Sequence, residues 1–571
     1  MKLRDNHILN NKLSARWPDA LLIGFIFYLA FVYVKISGNR YFNFDEFEVL
    51  YTGASLLRGK VLYADRIEPH FPLFNICIAY LVSLFGFQTT TIIITRYFIL
   101  LTNLIALIFV YKIGEMIWDK STGLLAVCLT LSSVVFLTKG IEIRHDVFNM
   151  TFNVIGAYYG LKYIKKKERY RYIILSGIFL GIAFASTQKA LVWNGGIIGG
   201  LSLYYLRNRS YRIVWRINVL YFIIVLAPLI ITIIYLIIRY NENIYMFLRF
   251  AIADQVNFYA PHTKELYPFP YNRYDLFKDL IFQNHLLYVL GIGGILATII
   301  LWFRTNTDRI VVAVWALIGV LFYVTAKRPF FQTFLPSVPP VSILAAGLIS
   351  DIFYDFKIIA LNKRIGVGIT AIFLLFIWPL CLVCGQKSER PKMMRQMANV
   401  SFCLKNLKED DEVLCFTQNQ IFFDPIFKVN WEVGGKPIYN YEALFFEQAM
   451  IKQQCKIIIN DYRTRLLNEK TKEKIGENYL PIKTGDILIP GFKIGPKQVF
   501  DKKIWIEGYY YSPTVSLEID GKKIESNLVK LEQKKYRIVN NSNRQVFLVY
   551  IFDRDKFLNG SSDYLGLMKR M

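Results

Sequence analysis

Long apolar runs separated by short polar loops occupy the first 384 residues of the chain. Each run has close to the roughly 20 residues that a helix needs to cross a bilayer. The pattern therefore predicts a polytopic α-helical membrane protein with about 11 transmembrane helices. The predicted spans lie near residues 20–36, 91–111, 121–138, 147–163, 172–187, 190–206, 213–239, 284–303, 309–325, 332–350 and 366–384.

The pattern changes after residue 384. Residues 385–571 carry short alternating runs such as VSLEIDGKKI and RQVFLVYIF, which are typical of strands joined by turns. We expect a soluble domain here, with an α/β part to about residue 496 and a small antiparallel β part after it. Residues 1–384 would then form the transmembrane domain.

The loops between the apolar runs predict the orientation in the membrane. Four of them are rich in Lys and Arg, and such loops usually face the cytoplasm. The C-terminal domain then lies outside, provided that residues 71–85 do not cross. We therefore expect residues 71–85 to form an amphipathic or re-entrant helix on the outer face, within a first outer loop of residues 37–90. The four basic loops are residues 162–172, 207–212, 304–309 and 357–364.

Composition supports the same class of protein. Of the 571 residues 54% are hydrophobic, and the mean hydropathy of +0.33 is too apolar for a soluble chain of this length. The net charge of +25 suggests nucleic acid, but much of it lies in the basic loops, so we discount that partner and expect membrane lipids. No cleavage site follows the first span, which should remain as an anchor. We expect a bacterial inner membrane, with the C-terminal domain periplasmic or extracellular.

Seven cysteines are scattered along the chain without paired metal-ligand spacing. Cys403, Cys415 and Cys455 lie in the C-terminal domain, where an oxidising compartment permits a disulfide. We expect any such bond between Cys415 and Cys455, with Cys403 left free.

Charged side chains in the expected outer loops are the candidates for chemistry. Asp45 and Glu46 follow the first apolar run, and Glu68 lies further along the same loop. Charges at such positions are costly, and they are functional candidates by default. Further candidates in the outer loops or at the ends of spans are His70, Arg96, Arg144, His145, Asp146, Lys189, Lys327 and Arg328.

Several weak motifs occur together in an order that is known from one superfamily. They are Asp45-Glu46 after the first span, Glu68-Pro69 before the outer-face helix, Arg96 at the start of the next span, Asp146 in the second outer loop, and the segment KRPFFQTFLPSVPPVSILAAG. In this order the chain resembles the GT-C superfamily. More narrowly, it is similar to membrane glycosyltransferases of the protein O-mannosyltransferase and lipid A aminoarabinose transferase type. The resemblance covers roughly residues 20–384, and each motif alone is unspecific.

The resemblance implies an inverting transfer of one sugar from a polyprenyl-phosphate carrier to a lipid, glycan or protein acceptor at the outer face. Asp45 matches the first acid of the family's acidic pair and would be the general base that takes the acceptor's proton. Glu46 would position the acceptor or bind a metal. Substrate contacts are implied for Glu68, Arg96, Arg144, Asp146, Lys189, Lys327 and Arg328. Four of these side chains are cations that suit the carrier phosphate, namely Arg144, Lys189, Lys327 and Arg328.

A divalent metal ion is a further expectation, because members of the family differ in metal use. Glu68 matches the position at which a relative holds a divalent ion. With His70 or His145 beside it, the ligand set would suit zinc, whereas carboxylates alone would suit magnesium or calcium.

Plainer explanations exist for the same residues. Asp45 and Asp146 are good N-capping residues for the helices that follow them. Arg96 also suits an interface anchor or a partner for an acid. Ordinary polar positions at the interface would explain His70 and His145, and the anchoring of a span would explain Lys327 and Arg328.

Two other classes of protein share some of these features. A transporter or flippase for a lipid-linked sugar would also carry the basic loops and the acids, but we would expect charges in mid-span and internal repeats. A structural assembly subunit acting through the C-terminal domain would leave Asp45 and Glu46 unexplained. The sequence favours the glycosyltransferase.

Overall fold

The structure is a computed structural model that describes most of the chain. The described residues are 17–65, 68–166, 168–253, 273–304, 307–326, 330–355, 376–384, 389–415, 422–425, 432–433, 436–437, 443–461, 464, 467–482 and 486–558.

The described residues of the first part of the chain are mainly helical. A helix pairs its backbone polar groups internally, which an apolar environment demands. In chain order the helices are α1 (Trp17–Asn39), α2 (Phe44–Leu57), α3 (Leu73–Phe85), α4 (Thr89–Ile117), α5 (Lys120–Ser132), α6 (Val134–Lys139), α7 (His145–Lys165), α8 (Tyr170–Ser186), α9 (Ala190–Arg207), α10 (Tyr211–Tyr240), α11 (Ile244–Leu248), α12 (Arg273–Gln283), α13 (His285–Arg304), α14 (Arg309–Thr325), α15 (Phe331–Phe334), α16 (Val338–Asp355), α17 (Trp378–Cys384) and α18 (Arg390–Asn406).

Five stretches of described helix are long and apolar enough to cross a membrane. They lie in α1, α4, α10, α13 and the run from α15 into α16. Shorter apolar helices of 10–17 residues include α3, α5, α8 and α14. The predicted helical, apolar architecture is confirmed, whereas the count of about 11 transmembrane helices is not. Part of the span expected near residues 366–384 lies outside the described residues.

One predicted span, residues 121–138, is divided in two. Ser133 has an extended backbone, with φ −63° and ψ 125°, between the end of α5 and the start of α6. Asn284 occupies the break, since its Oδ1 accepts a hydrogen bond from Val134 N at 2.8 Å and its Nδ2 donates to Ser132 O at 3.5 Å. A polar side chain inserted into the backbone ladder thus explains an interruption that hydropathy did not indicate.

The helix expected on the outer face is α3. It has 13 residues, which at about 1.5 Å per residue gives about 20 Å, short of the roughly 30 Å hydrocarbon core of a bilayer. It packs along α2. This length is compatible with a helix that does not cross.

Helix α7 defines the two ends of the helical bundle. It is buried along most of its 21 residues and packs against α8. Near its C-terminal end, Lys165 Nζ pairs with Asp308 Oδ2 at 2.7 Å, which brings together two of the basic loops. Because 21 residues of helix span about 30 Å, these loops and His145, the first residue of α7, lie at opposite ends.

The C-terminal part combines strands with helices, as predicted. Its helices after α18 are α19 (Ala443–Lys452), α20 (Glu469–Asn478) and α21 (Arg554–Leu558). Its strands are β1 (Glu412–Leu414), β2 (Asp424–Pro425), β3 (Glu432–Val433), β4 (Lys436–Pro437), β5 (Ile457–Ile459), β6 (Tyr479–Pro481), β7 (Ile487–Ile494), β8 (Val499–Lys503), β9 (Gly508–Tyr511), β10 (Leu517–Ile519), β11 (Lys522–Lys523), β12 (Leu528–Leu531), β13 (Lys535–Asn540) and β14 (Val546–Ile551).

The largest sheet crosses the division expected near residue 496. Its strand order is β12-β9-β14-β7-β5-β1-β2, and β6 also pairs with β7. Strand β1 is parallel to β2 and β5, while the other pairs are antiparallel. Strand β7 joins the two halves, because its residues 491–494 pair with β14 and its residues 487–488 pair with β5. Among the sheets of the described residues, only the antiparallel sheet β11-β10-β13-β8 lies wholly after residue 496.

The expected disulfide between Cys415 and Cys455 does not form. Cys415, Cys455 and Cys403 are all buried, and none of the three is in a disulfide. Cys415 Sγ lies 3.6 Å from Asp461 Oδ2, whereas Cys455 Sγ lies 3.2 Å from Ile457 O. The two sulfur atoms therefore contact different polar partners.

Candidate active site

The acidic pair opens helix α2. The N-cap of α2 is Asn43, and the N-cap of α7 is Arg144. Asp45 and Asp146 therefore lie within the first turns of their helices, where the helix dipole favours a negative charge. Neither aspartate is the N-cap residue of its helix, so N-capping does not explain why an aspartate is present at either position.

Glu46 and Arg96 form a buried ion pair beneath the start of α2. Arg96 Nε donates to Glu46 Oε1 at 3.0 Å, and its Nη2 donates to Oε2 at 2.6 Å. Glu46 is fully buried and also accepts from the backbone N–H groups of Asn43 and Ile143, at 2.8 and 3.2 Å. Arg96 lies 3.6 Å from the ring centre of Phe42. Two hydrogen bonds between one guanidinium and one carboxylate fix the relative orientation of the two side chains. This pairing gives no support to acceptor or metal binding by Glu46.

Asp45 differs from Glu46 in being half-exposed. Its side chain retains 39% exposure, and its Oδ2 lies 2.5 Å from Arg144 Nη1. Arg144 also pairs with Glu142, which in turn pairs with Lys139 at 2.9 Å and with Arg40 at 3.5 Å. Asp45 is thus the accessible end of a charged network whose other members are mostly buried.

This network keeps its buried charges ionised. Burial by itself raises the pKa of Glu142, but Arg144, Lys139 and Arg40 outweigh it, and the pKa lies below its ordinary range. Burial likewise lowers the pKa of Arg144, but Asp45 and Glu142 outweigh it, and the pKa lies above its ordinary value. Arg144 is therefore a permanent cation beside Asp45.

A second polar group lies beside the first. The rings of His70 and His145 stack with their centres 4.2 Å apart, and Lys189 Nζ lies 3.7 Å from Asp146 Oδ1. Glu68 is buried, and its Oε1 accepts a hydrogen bond from His70 N at 3.0 Å. Because His145 and Asp146 directly follow Arg144, the two groups adjoin each other. The loops at residues 45–46, 68–70, 142–146 and 187–189 therefore meet at one end of the bundle.

Burial lowers the pKa of His70 well below its ordinary value, and Lys189 and Arg144 lower it further. His70 is therefore neutral near pH 7 and offers one ring nitrogen as an acceptor or a donor, depending on its tautomer.

The C-terminal part contacts both ends of α2. Before α2, Phe42 N donates to Gln396 Oε1 and Gln396 Nε2 donates to Phe42 O, both at 2.8 Å. After α2, Asp424 pairs with Arg58 and with Lys60, each at 3.1 Å. The helix that carries Asp45 is thus held from outside the bundle.

The expected metal ligands do not form a metal site. Among the described residues there is no group of three or more His, Cys, Asp or Glu side chains arranged to hold a metal ion. The rings of His70 and His145 lie against each other at an interplanar angle of 38°, and the cations Lys189 and Arg144 lie next to them. Because such cations oppose a metal ion, Glu68, His70 and His145 do not fit zinc, magnesium or calcium in this arrangement.

Two predicted site residues, Lys327 and Arg328, lie outside the described residues. The others are all placed, and the structure brings Asp45 beside Arg144 and Asp146 beside Lys189. Sequence reasoning missed the contact of Gln396 with Phe42, since nothing in the sequence connects positions 354 residues apart.

The fold and part of the sequence have known counterparts. Residues 68–239 match the family Dolichyl-phosphate-mannose-protein mannosyltransferase. The fold is similar to that of ArnT from Cupriavidus metallidurans in the apo state, with a TM-score of 0.53 and 10% identity over 93% of this chain and 99% of that chain. It is also similar to the Archaeoglobus fulgidus oligosaccharyltransferase in complex with Zn and sulfate, with a TM-score of 0.51 and 12% identity over 86% of this chain and 72% of that chain.

The comparison with curated protein sequences finds no match. At identities this low, the structural likenesses concern the fold alone. Together with the family match they confirm the predicted resemblance to the GT-C superfamily of membrane glycosyltransferases.

Proposed function

We propose that this protein is a membrane glycosyltransferase that moves one sugar, with inversion, from a polyprenyl-phosphate carrier to a lipid, glycan or protein acceptor. The observation that carries this proposal is the pairing of a half-exposed Asp45 with the buried Arg144, next to Lys189. A base and two cations in adjoining positions suit a displacement at a sugar carbon with a phosphate leaving group.

In this reaction the acceptor hydroxyl attacks the anomeric carbon while Asp45 takes its proton. The bond from that carbon to the phosphate oxygen breaks, and the polyprenyl phosphate leaves with the electron pair. Lys189 and Arg144 stabilise the negative charge that grows on the phosphate as this bond breaks. Asp146, 3.7 Å from Lys189, holds that ammonium group in place. Lys327 and Arg328 remain candidates for the same phosphate.

Glu46 and Arg96 have a supporting role in this proposal. Their hydrogen bonds fix the first turn of α2 and the backbone before it, so that Asp45 is presented at the surface. Glu68 fixes the backbone of His70 in a similar way. No step of the mechanism passes through a metal ion.

The site would face the periplasm or cell exterior of a bacterial inner membrane. The support is that the basic loops at Lys165 and Asp308 lie at the end of α7 opposite to His145, and basic loops favour the cytoplasm. Residues 1–384 would form the membrane domain, and residues 385–571 an outer domain that contacts α2.

The test of the base is Asp45→Asn in the purified full-length protein. The substitution keeps the shape of the side chain but removes its ability to take a proton, so turnover should fall by about 100-fold or more while carrier binding persists. Asp308→Asn is a matched control, because Asp308 also forms an ion pair but lies at the other end of the bundle. Near-normal turnover of Asp45→Asn would remove Asp45 from the mechanism.

A further inference from the structure

Basic side chains from three different helices meet over two tyrosine rings at the end of the bundle that carries the basic loops. Lys162 Nζ, on α7, lies 5.1 Å from the ring centres of both Tyr158 and Tyr172. Lys112 Nζ, on α4, lies 5.7 Å from the centre of the Tyr158 ring. The guanidinium carbon of Arg171, on α8, lies 4.8 Å from the centre of the Tyr172 ring. We call these three cations and two tyrosines the basic cluster.

The polar contacts of the basic cluster are made to hydroxyl groups. Lys162 Nζ donates to Tyr158 OH at 3.1 Å, and Arg171 Nη2 donates to Tyr172 OH at 2.9 Å. Ammonium and guanidinium groups have more N–H donors than these bonds use. Donors of the cluster therefore remain available to a further acceptor.

The acids nearest to the basic cluster in sequence have other neighbours. Glu115 Oε1 accepts from Tyr111 OH at 2.7 Å, and Glu168 lies beside Tyr205. Among the described residues no carboxylate forms an ion pair with any of the three cations of the cluster. Their positive charges are thus balanced by no acid of this part of the chain, and the cluster attracts an anion.

A strip of aromatic rings leads from the basic cluster along α7, which packs against both α4 and α8. The ring of Tyr159 stacks on that of Phe179, with the centres 5.7 Å apart, and Phe179 stacks on Phe152 at 6.2 Å. From Lys162 to Phe152 the helix rises by about 15 Å. We call Phe152, Tyr159 and Phe179 the aromatic strip. The helices that pack against α7 add exposed apolar side chains, namely Ile105 and Ile108 on α4 and Ile174 and Ile178 on α8.

The cations and the apolar surface together indicate one kind of ligand. Basic sites between transmembrane helices suit the phosphate head groups of anionic lipids. A free phosphate would contact the cations alone and would leave the aromatic strip uncovered. A lipid without net charge would cover the strip but would not balance the cations. A phospholipid with a net negative head group satisfies both.

We infer that the basic cluster and the aromatic strip bind one anionic phospholipid, with its phosphate at the cations and an acyl chain along the strip. This site is separate from the proposed reaction, because the basic loops lie at the end of α7 opposite to His145. It exists for either orientation of the chain in the membrane.

The test is lipid binding by the purified, delipidated full-length protein, measured by native mass spectrometry. The probes are phosphatidylglycerol, phosphatidylethanolamine with the same acyl chains, and glycerol 3-phosphate, which is a head group without chains. Lys162→Gln and Arg171→Gln each remove a charge and keep an N–H donor for the tyrosine hydroxyl. Lys165→Gln is the matched control, because Lys165 lies on the next turn of α7 but already pairs with Asp308 at 2.7 Å.

We expect the wild type to bind phosphatidylglycerol about tenfold more tightly than phosphatidylethanolamine. Lys162→Gln and Arg171→Gln should each weaken phosphatidylglycerol by about fivefold, or about 1 kcal/mol, and phosphatidylethanolamine by less than about twofold. Lys165→Gln should change neither affinity, and glycerol 3-phosphate should not displace the bound lipid.

Thermal unfolding separates a loss of binding from a loss of folding. In phosphatidylethanolamine alone, the melting temperatures of the variants should stay close to that of the wild type. Added phosphatidylglycerol should raise the melting temperature of the wild type more than that of Lys162→Gln, because a ligand stabilises the folded state that binds it. Arg171 is exposed, so Arg171→Gln carries the test if Lys162→Gln does not fold.

Four outcomes would overturn the inference. They are equal affinity of the wild type for the two phospholipids, unchanged phosphatidylglycerol binding by both cluster variants, an equal loss in Lys165→Gln, and displacement of the lipid by glycerol 3-phosphate, which would identify a site for free phosphate. If the cluster variants lose phosphatidylglycerol and no sugar transfer is found, the inference stands and the proposed function fails. If transfer occurs and the cluster variants bind the lipid normally, only the inference fails.

Discussion

At the scale of single residues, the two adjacent acids Asp45 and Glu46 have different surroundings. Glu46 is fully buried against Arg96, whereas Asp45 is half-exposed beside Arg144. The sequence identifies the pair as candidates because of its place between apolar runs. It could not assign their separate environments, because these depend on Arg96 and Ile143, which lie 50 and 97 positions away.

The first prediction at this scale concerns Lys189 as a phosphate ligand. Lys189→Gln should lower turnover at saturating donor by about 100-fold, because a cation that stabilises the leaving phosphate acts mainly in the transition state. Lys165→Gln is the matched control, since Lys165 also pairs with an aspartate but belongs to a basic loop at the other end. Turnover within about threefold of wild type, a difference of under about 1 kcal/mol, would exclude Lys189 from this role.

The second residue-scale prediction concerns stability and pH. The pKa of His70 is lowered well below its ordinary value by burial, Lys189 and Arg144, so the unfolded chain binds more protons here than the folded protein once the pH falls below about 6.5. Stability must therefore decrease as the pH falls through this range. Between about pH 7.5 and 5.5 the melting temperature of His70→Gln should fall less than that of the wild type. Equal slopes would show that His70 titrates normally.

At the scale of elements, helix α2 is held by contacts that no local pattern predicts. Its N-terminal side is tied to Gln396 in α18, and its C-terminal side to Asp424 in β2. The hydropathy pattern placed most of the helices correctly, because apolar runs of this length have few alternatives. It missed the break at Ser133, since the side chain that fills it comes from Asn284, 150 residues away.

The element-scale prediction is that Gln396 positions α2 for catalysis. Gln396→Leu removes both hydrogen bonds to Phe42 and should lower kcat by about tenfold with little change in KM, because it shifts Asp45 without touching the carrier. Gln396→Glu keeps the acceptor for Phe42 N and should recover part of kcat. Gln533→Leu is the control, since Gln533 donates to backbone oxygens of Ile451 and Trp505, within the C-terminal part. Equal losses in kcat for Gln396→Leu and Gln533→Leu would indicate general destabilisation instead.

At the scale of the whole molecule, the sequence predicted two regions of different character, a helical part and a mixed part with a sheet. It placed a division near residue 496 because short antiparallel runs begin there. The division fails for the large sheet, since β7 is long enough to pair with β5 at one end and β14 at the other. Long-range pairing of this kind is not visible in local alternation.

The orientation in the membrane is a prediction for the whole chain. Reporter fusions after Lys167 and after Gly385 should report the cytoplasm and the exterior respectively, because the basic loops favour the cytoplasmic side. The reverse result at either position would contradict the proposed orientation and would place the site around Asp45 on the wrong side for an outward-facing enzyme.

The proposed reaction transfers a sugar from a polyprenyl-phosphate carrier, and it is best tested by following the sugar itself. The purified protein is reconstituted in vesicles with undecaprenyl phosphate carrying an isotope-labelled sugar, in the presence of envelope extract as the source of acceptor. We predict that the label moves to the acceptor with inverted anomeric configuration and that bare undecaprenyl phosphate accumulates, with Asp45→Asn vesicles inactive. Movement of the intact labelled carrier across the bilayer, with no label on any acceptor, would contradict this account and identify a transporter.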